Sequence, residues 1–259
     1  MVESVYGGRV IAVANQKGGV GKTTTAVNVS ACLAMEGRKS LLIDLDPQGN
    51  ASSGLGLGAE IDSPGVYEVL VNGTPMREVV KTTEVVGLDA VLSGPRLGGA
   101  EVELVPLERR EFLLRSAIAP LRASYDFVFI DCPPSLGLLT VNGLTAADSV
   151  MIPLQCEYYA LEGLSQLLNA IHLVQQGPNP ELRIEGVLLT MYDSRLNLSQ
   201  QVVEDARKFF AERVYKTIIP RNVRLSEAPS FGKPAVIYDR YCAGAESYYN
   251  LAKELIGNG

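Results

Sequence analysis

The sequence predicts an α/β fold, a doubly wound and mostly parallel sheet with helices on both faces, on three observations. Apolar runs alternate with amphipathic segments nearly to the end of the chain, the pattern of strands separated by covering helices. Several runs, such as Phe127-Val128-Phe129-Ile130, are continuously apolar, as strands buried on both faces require. The first run passes through a glycine-rich turn directly into a helix-forming segment, which is the arrangement of an anion-binding strand–turn–helix unit.

Taken in order, the run Val10-Ile11-Ala12-Val13-Ala14 predicts a strand over 9–14, and Ala26-Val27-Asn28-Val29-Ser30-Ala31-Cys32-Leu33 a helix over 22–36. Further strands are expected at 39–44, 87–92, 126–131, 148–153, 185–191 and 214–219. Between and after them helices are expected at 64–72, 100–123, 136–146, 158–176, 198–211, 224–229 and 241–256. The Gly/Ser-rich piece 49–58 and the segment 93–99 read as loops over the ligand face. No repeat, low-complexity run or long linker divides the chain, so residues 1–259 read as one domain. In open α/β sheets ligands bind beyond the carboxyl ends of the strands, so chemistry is sought just after each strand.

Composition narrows the class. Hydrophobic residues are 47% and charged residues 20% of the chain, a globular balance rather than a disordered one. No apolar run approaches the roughly 18 residues that a spanning helix needs, and the first residues lack a basic region followed by an apolar segment and cleavage site, so a cytoplasmic address is expected. Cysteines 32, 132, 156 and 242 are dispersed and only His172 could join them, which supplies neither a zinc set nor an iron–sulfur spacing. The net charge of -6 argues against coating nucleic acid over the whole surface. Residues 181–259 nevertheless carry 11 Lys and Arg against 10 Asp and Glu, while the preceding part carries 12 against 19. Arg213, Lys216, Arg221 and Arg224 fit either a local basic strip or an ordinary solvated face.

The stretch Asn15-Gln16-Lys17-Gly18-Gly19-Val20-Gly21-Lys22-Thr23-Thr24-Thr25 is the most specific. Gly18, Gly19 and Gly21 let backbone amides crowd around phosphate oxygens, and the following helix presents unpaired amides and its positive dipole end. Lys22 suits the β and γ phosphates and Thr23 the Mg²⁺ ion, which makes the fold that of a P-loop NTPase. Gln16 stands where the strict pattern begins with glycine, and Lys17 is a second lysine ahead of the glycines.

Other strand ends add carboxylates. Leu41-Leu42-Ile43-Asp44-Leu45-Asp46 places two acids one residue apart, able to point to the same side of an extended strand. Beside a triphosphate one would tune the magnesium shell and the other would orient or deprotonate the attacking water. The run 126–130 ends in Asp131-Cys132-Pro133-Pro134, the shape of a Walker B element whose carboxylate supports Mg²⁺ through water. After 214–219 come Pro220 and Asn222, which fit either an adenine-facing pair or a polar strand-exit turn.

These residues together resemble the ParA-type chromosome or plasmid partitioning ATPases of the ParA/MinD group. The resemblance rests on Lys17-Gly18-Gly19-Val20-Gly21-Lys22-Thr23-Thr24, Asp44-Leu45-Asp46-Pro47-Gln48, Asp131-Cys132-Pro133-Pro134, Gly99-Ala100-Glu101-Val102-Glu103-Leu104 and the long element 220–230, and it spans almost the whole chain. It implies a deviant Walker A loop in which Lys17 contacts phosphate across an ATP-sandwich homodimer while Lys22 acts in cis. It implies Asp46 as the water-activating acid, Asp44 and Asp131 with Thr23 around Mg²⁺, Thr24 and Val20 within the phosphate loop, and Pro220 with Asn222 at the adenine. It also implies non-specific binding of double-stranded DNA through Arg195 and Arg224, a nucleoid-associated location, and hydrolysis stimulated by a ParB-type partner. The chain starts almost directly at its first strand, so an amino-terminal DNA-reading domain is not expected. The alternative within the group is a MinD-like membrane-associated positioning ATPase; the segment 246–256 has few basic residues and reads instead as a packed helix. A metabolic enzyme on the same scaffold is the rival from another class.

Overall fold

The computed structural model describes residues 7–58, 63–157 and 163–257. Its strands are β1 (Arg9–Val13), β2 (Ser40–Asp44), β3 (Val80–Thr82), β4 (Leu88–Val91), β5 (Phe127–Asp131), β6 (Ser149–Gln155) and β7 (Arg183–Thr190). All seven form one sheet in the order β3-β4-β2-β5-β1-β6-β7, parallel except for the antiparallel edge strand β3. The expected doubly wound α/β architecture is present.

Alternation along the buried strands builds two cores, one on each face. Val10 and Ala12 point to one face, Ile11 and Val13 to the other. The first face is covered by α3 (Val66–Val71), α4 (Leu97–Glu103), α5 (Leu113–Ile118), α6 (Leu138–Ala146), α7 (Leu164–Gln176) and α8 (Asn197–Phe210). The second is covered by α1 (Lys22–Met35), α2 (Asn50–Gly54), α9 (Val223–Glu227), α10 (Ala235–Tyr238) and α11 (Ala243–Gly257). From Thr25 to Ala34 every residue of α1 is buried, as happens when a helix is enclosed on all sides. Its polar groups find partners there. The Thr25 and Tyr248 hydroxyls meet at 3.1 Å, and the Asn28 side chain accepts from the Ala235 amide at 2.7 Å; each such bond contributes about 1 kcal/mol net.

Four expectations change. The segment 214–219 is not a strand: only Val187–Val214 and Tyr192–Pro220 form isolated bridges. The amides of Lys216 and Thr217 donate instead to the Glu254 carboxylate on α11, and the Tyr215 ring fills a notch at Gly186, where a Cβ would lie 2.6 Å from it. The single helix expected over 100–123 is divided into α4, α5 and short 3-10 turns at 110–112 and 122–124. Pro106 and Pro120 cannot continue a helix, and each restricts the residue before it; Arg109 adopts a left-handed φ of 54° between the pieces. Strand β3 was not anticipated, because three half-exposed residues at an edge carry little apolar signal. The loop expected at 49–58 contains α2, and the helix expected from 158 is described from Leu164, its first positions 158–162 lying outside the described residues.

Candidate functional site

β1 lies between β5 and β6, so the turn leaving it stands at the centre of the sheet's carboxyl edge, where successive connections run to opposite sides. Gly19 and Gly21 have φ of 73° and 88°, backbone that residues with a Cβ adopt only with strain. No atom stands within 4 Å of where a Cβ would project from Gly18 or Gly19, so the loop is an open cradle. Val20 between them is buried, and its carbonyl accepts from the Thr190 hydroxyl at 2.9 Å. Lys22 opens α1, is only 7% exposed, and its Nζ donates to the Lys17 carbonyl at 3.1 Å. A cleft of about 620 Å³ opens over this loop, lined by Gly18, Gly19, Gly21, Lys22, Thr23 and Thr24 on one side. Asp46 and Pro134 stand along it, as do Met191, Ala228, Pro229 and Ser230.

The carboxylates lie side by side because β2 and β5 pair in register, Asp44 against Asp131. Asp131 also neighbours Val13, the last residue before the loop. Both are fully buried beneath the cleft rather than lining it. Burial is the main reason the Asp44 carboxyl is pushed up to about 6, against the pull of two hydrogen bonds from the Ser52 amide and hydroxyl, each 2.8 Å. Asp131 is raised well above the carboxylate range, first by burial and then by the charge of Asp44. Neither Asp131 oxygen has a hydrogen-bond partner; the Thr23 side chain is close enough to lower its pKa without reaching bonding geometry. An orphaned, wholly buried carboxylate under an open glycine cradle calls for a cation. Lys22 is depressed by its own burial, with Asp131 and Asp46 opposing. Asp46, 8% exposed, is fixed by donation from the Gln48 amide to its side chain and from the Ser93 hydroxyl to its carbonyl. These residues fit a Mg²⁺-bound nucleotide, whose phosphates the cradle and Lys22 would take and whose metal Thr23 and Asp131 would hold.

The other expected residues are placed differently. Lys17 is absent from the lining of its own cleft; its ammonium is paired with Glu157, just beyond β6. Pro220 and Asn222 do not line the cleft either. Pro220 bridges to Tyr192, and the Asn222 Oδ1 caps α9 by accepting from the Arg224 amide at 2.9 Å; the wall falls on 228–230 instead. Arg195 and Arg224 lie on the exposed side of the same region, and both are held by acids of this chain. Arg195 Nε and Nη2 donate to the two oxygens of Asp193 at 2.8 and 2.6 Å. Arg224 pairs with Glu227 at 2.7 Å and Asp239 at 3.2 Å.

Several neighbours of the site escaped the sequence reading. Glu157 is an acid just past a strand and would have been found by the same strand-end rule that selected Asp131. Ser52 and Thr190 act only through partners distant in sequence. Met191 is a non-glycine residue at φ 51°, a conformation costing roughly 1 to 3 kcal/mol that composition does not reveal.

Comparison with known proteins places this geometry among partitioning proteins. The sequence profile of a family described as an AAA domain matches residues 8–184. The chain is 59% identical to the chromosome partitioning protein ParA of Myxococcus xanthus, over 96% of this chain and 88% of that one. It is 58% identical to the sporulation initiation inhibitor protein Soj of Bacillus subtilis, over 97% and 100%. It is 52% identical to the chromosome-partitioning ATPase Soj of Treponema pallidum, over 96% and 97%. Among solved structures, one described as cobyrinic acid a,c-diamide synthase from Mycobacterium smegmatis, with bound ATP analog and magnesium, superposes with a TM-score of 0.84 at 40% identity, covering 96% of this chain and 94% of that one. The cell division ATPase MinD of Pyrococcus furiosus shares the fold, with a TM-score of 0.80 at 24% identity over 97% and 100%.

Proposed function

The chain belongs to the ParA/Soj family of chromosome-partitioning ATPases, and from that premise we propose that it is a two-subunit ATP switch that holds DNA while ATP is bound and releases it on hydrolysis. As a member of that family it is a Mg²⁺-dependent ATPase with a role in chromosome partitioning. The observation that carries the two-subunit reading is the position of Lys17: ahead of the phosphate loop, half exposed, and outside the cleft that Lys22 enters. A lysine so placed is free to reach the phosphates of a facing copy once Glu157 lets it go.

When bound, Mg²⁺-ATP supplies the phosphoryl group transferred to water and the divalent charge that screens it. Lys22 and the loop amides hold the phosphates in cis, with Val20 kept in place by Thr190. Thr23 and Asp131 would hold the metal, and Asp44 fixes the start of α2 beside them through Ser52. Asp46, the acid that faces the cleft, orients a water and takes its proton. The trans Lys17 stabilises charge on the transferring group, as a cationic finger does in other phosphoryl-transfer enzymes. Without a partner turnover is slow, on the order of 10⁻⁴ per second for an unassisted P-loop switch. A ParB-type centromere-binding partner accelerates hydrolysis.

On this reading residues 1–259 act as one ATPase domain, in the cytoplasm and on the nucleoid. Two subunits present Arg195 and Arg224 twice, so DNA affinity rises with dimer formation. A membrane output is disfavoured by α11, whose apolar residues Tyr248, Leu251, Ala252 and Leu255 are consumed in the core. No helix among the described residues is long and apolar enough to cross a membrane. The name of the Mycobacterium structure favours a second reading, amide synthesis, which would make ADP formation depend on a small acid and an amide donor.

Light scattering or sedimentation of wild type and Lys17→Ala, with ADP, ATP and a slowly hydrolysed analogue, tests the switch. Wild type is expected to dimerise with the analogue alone, and a Lys17→Ala protein that dimerises and hydrolyses normally would overturn the trans lysine. DNA binding measured with the same nucleotides across salt, for wild type and Arg195→Ala/Arg224→Ala, tests the output. Binding indifferent to both nucleotide and arginines would refute it.

A further inference from the structure

The segment leaving β7 joins the phosphate loop to the exposed arginines in six residues. Thr190 donates its hydroxyl to the Val20 carbonyl in the loop, and its methyl stands 3.8 Å from where a Cβ on Gly21 would lie. Met191 follows in the left-handed region and lines the nucleotide cleft. Tyr192 is locked on both sides by its backbone, donating to the Ile219 carbonyl at 3.1 Å and accepting from the Arg221 amide at 2.9 Å. Asp193 then takes Arg195 in a two-point grip and also accepts the Arg195 amide at 3.0 Å.

We propose that Asp193 is a positioning residue that occupies Arg195 in place of a DNA phosphate. The inference rests on the reading of Arg195 as a DNA contact. The Asp193 side chain is 13% exposed and that of Arg195 84%, so the acid is covered and the arginine projects over it. A phosphate approaching the Nε–Nη2 edge of the guanidinium competes with Asp193 for the same two N–H groups. Arg221 also bears on Asp193, helping Arg195 hold it at about 2, so one internal acid answers to two arginines. Both peptide groups of Tyr192 being held, a shift at Met191 stops there, and Asp193 grips Arg195 alike whichever nucleotide fills the cleft.

The test is binding of random-sequence duplex DNA, by fluorescence anisotropy across salt, with ADP and with a slowly hydrolysed ATP analogue. Asp193→Asn keeps the Oδ1 that accepts the Arg195 amide and removes the charge. It is expected to tighten the affinity by about two- to fivefold per protomer with either nucleotide, the range of one exposed ion pair. Asp193→Glu restores the wild-type affinity, and Asp193→Ser reproduces the Asn result should that protein fold poorly. If Arg195→Ala weakens DNA binding while Asp193→Asn leaves the affinity at the wild-type value with both nucleotides, the proposal is wrong and the DNA reading stands. If neither nucleotide nor Arg195→Ala alters wild-type binding, the DNA reading itself falls.

Discussion

The carboxyl ends of β1, β2 and β5 and the exit of β7 handle charge in opposite ways. At the first, Lys22, Asp44 and Asp131 are buried and held at fixed spacing by strand register. Burial there drives each group toward its neutral form, so the site is incomplete until a polyanion and its metal arrive. At the second, Arg195 and Arg224 stand in water and are already neutralised by Asp193, Glu227 and Asp239. One region is built to be short of a ligand and the other to be satisfied without one. A pre-organised deficit gives tight, geometry-dependent binding, whereas exposed pairs worth little each can be exchanged for phosphates at small cost.

The largest effect should come from breaking the buried set. Lys22→Ala removes the cation between phosphate and Asp131 and is expected to lower hydrolysis beyond about a thousandfold, with nucleotide binding lost in a fluorescent-nucleotide titration. Retained binding would show that the glycine cradle suffices alone. Asp46→Ala leaves the cradle and metal acids untouched, so hydrolysis should fall at least about a hundredfold while the ATP dimer persists on DNA. Rapid ATP-dependent release from that variant would remove Asp46 from its role. On the exposed side Arg195→Ala should leave nucleotide binding unchanged and reduce the slope of log affinity against log salt by about 1. The smallest effect expected is that of Glu157→Gln, which frees Lys17: ATP-dependent dimerisation should shift by about two- to fivefold toward lower protein concentration. A shift in the other direction would mean that Glu157 aids the dimer.

The buried region was also the legible one. Apolar runs fix strand positions, glycines and the lysine fix the loop, and an acid at a strand end has few other places to go, so Asp44, Asp46 and Asp131 were readable before any coordinate. What escaped depended on partners far along the chain. The segment 214–219 reads as a strand, yet its amides are taken by Glu254, which no local pattern announces. Pro220 and Asn222 share a motif with 228–230, but the cleft wall falls on the later residues. Arg195 looks free in sequence and is not, because Asp193 two residues earlier turns back on it.

The pairing of α1 with α11 bears on the timing of synthesis. Thr25, three residues past Lys22, is sealed by Tyr248, 223 residues later. At 5 to 20 residues per second that separation amounts to about 11 to 45 s of translation. Throughout that interval a nascent chain carries the glycine-rich loop without the helix that packs against α1. Until α11 is made, the loop stands at the head of a helix whose buried Thr25 hydroxyl has no tyrosine to meet.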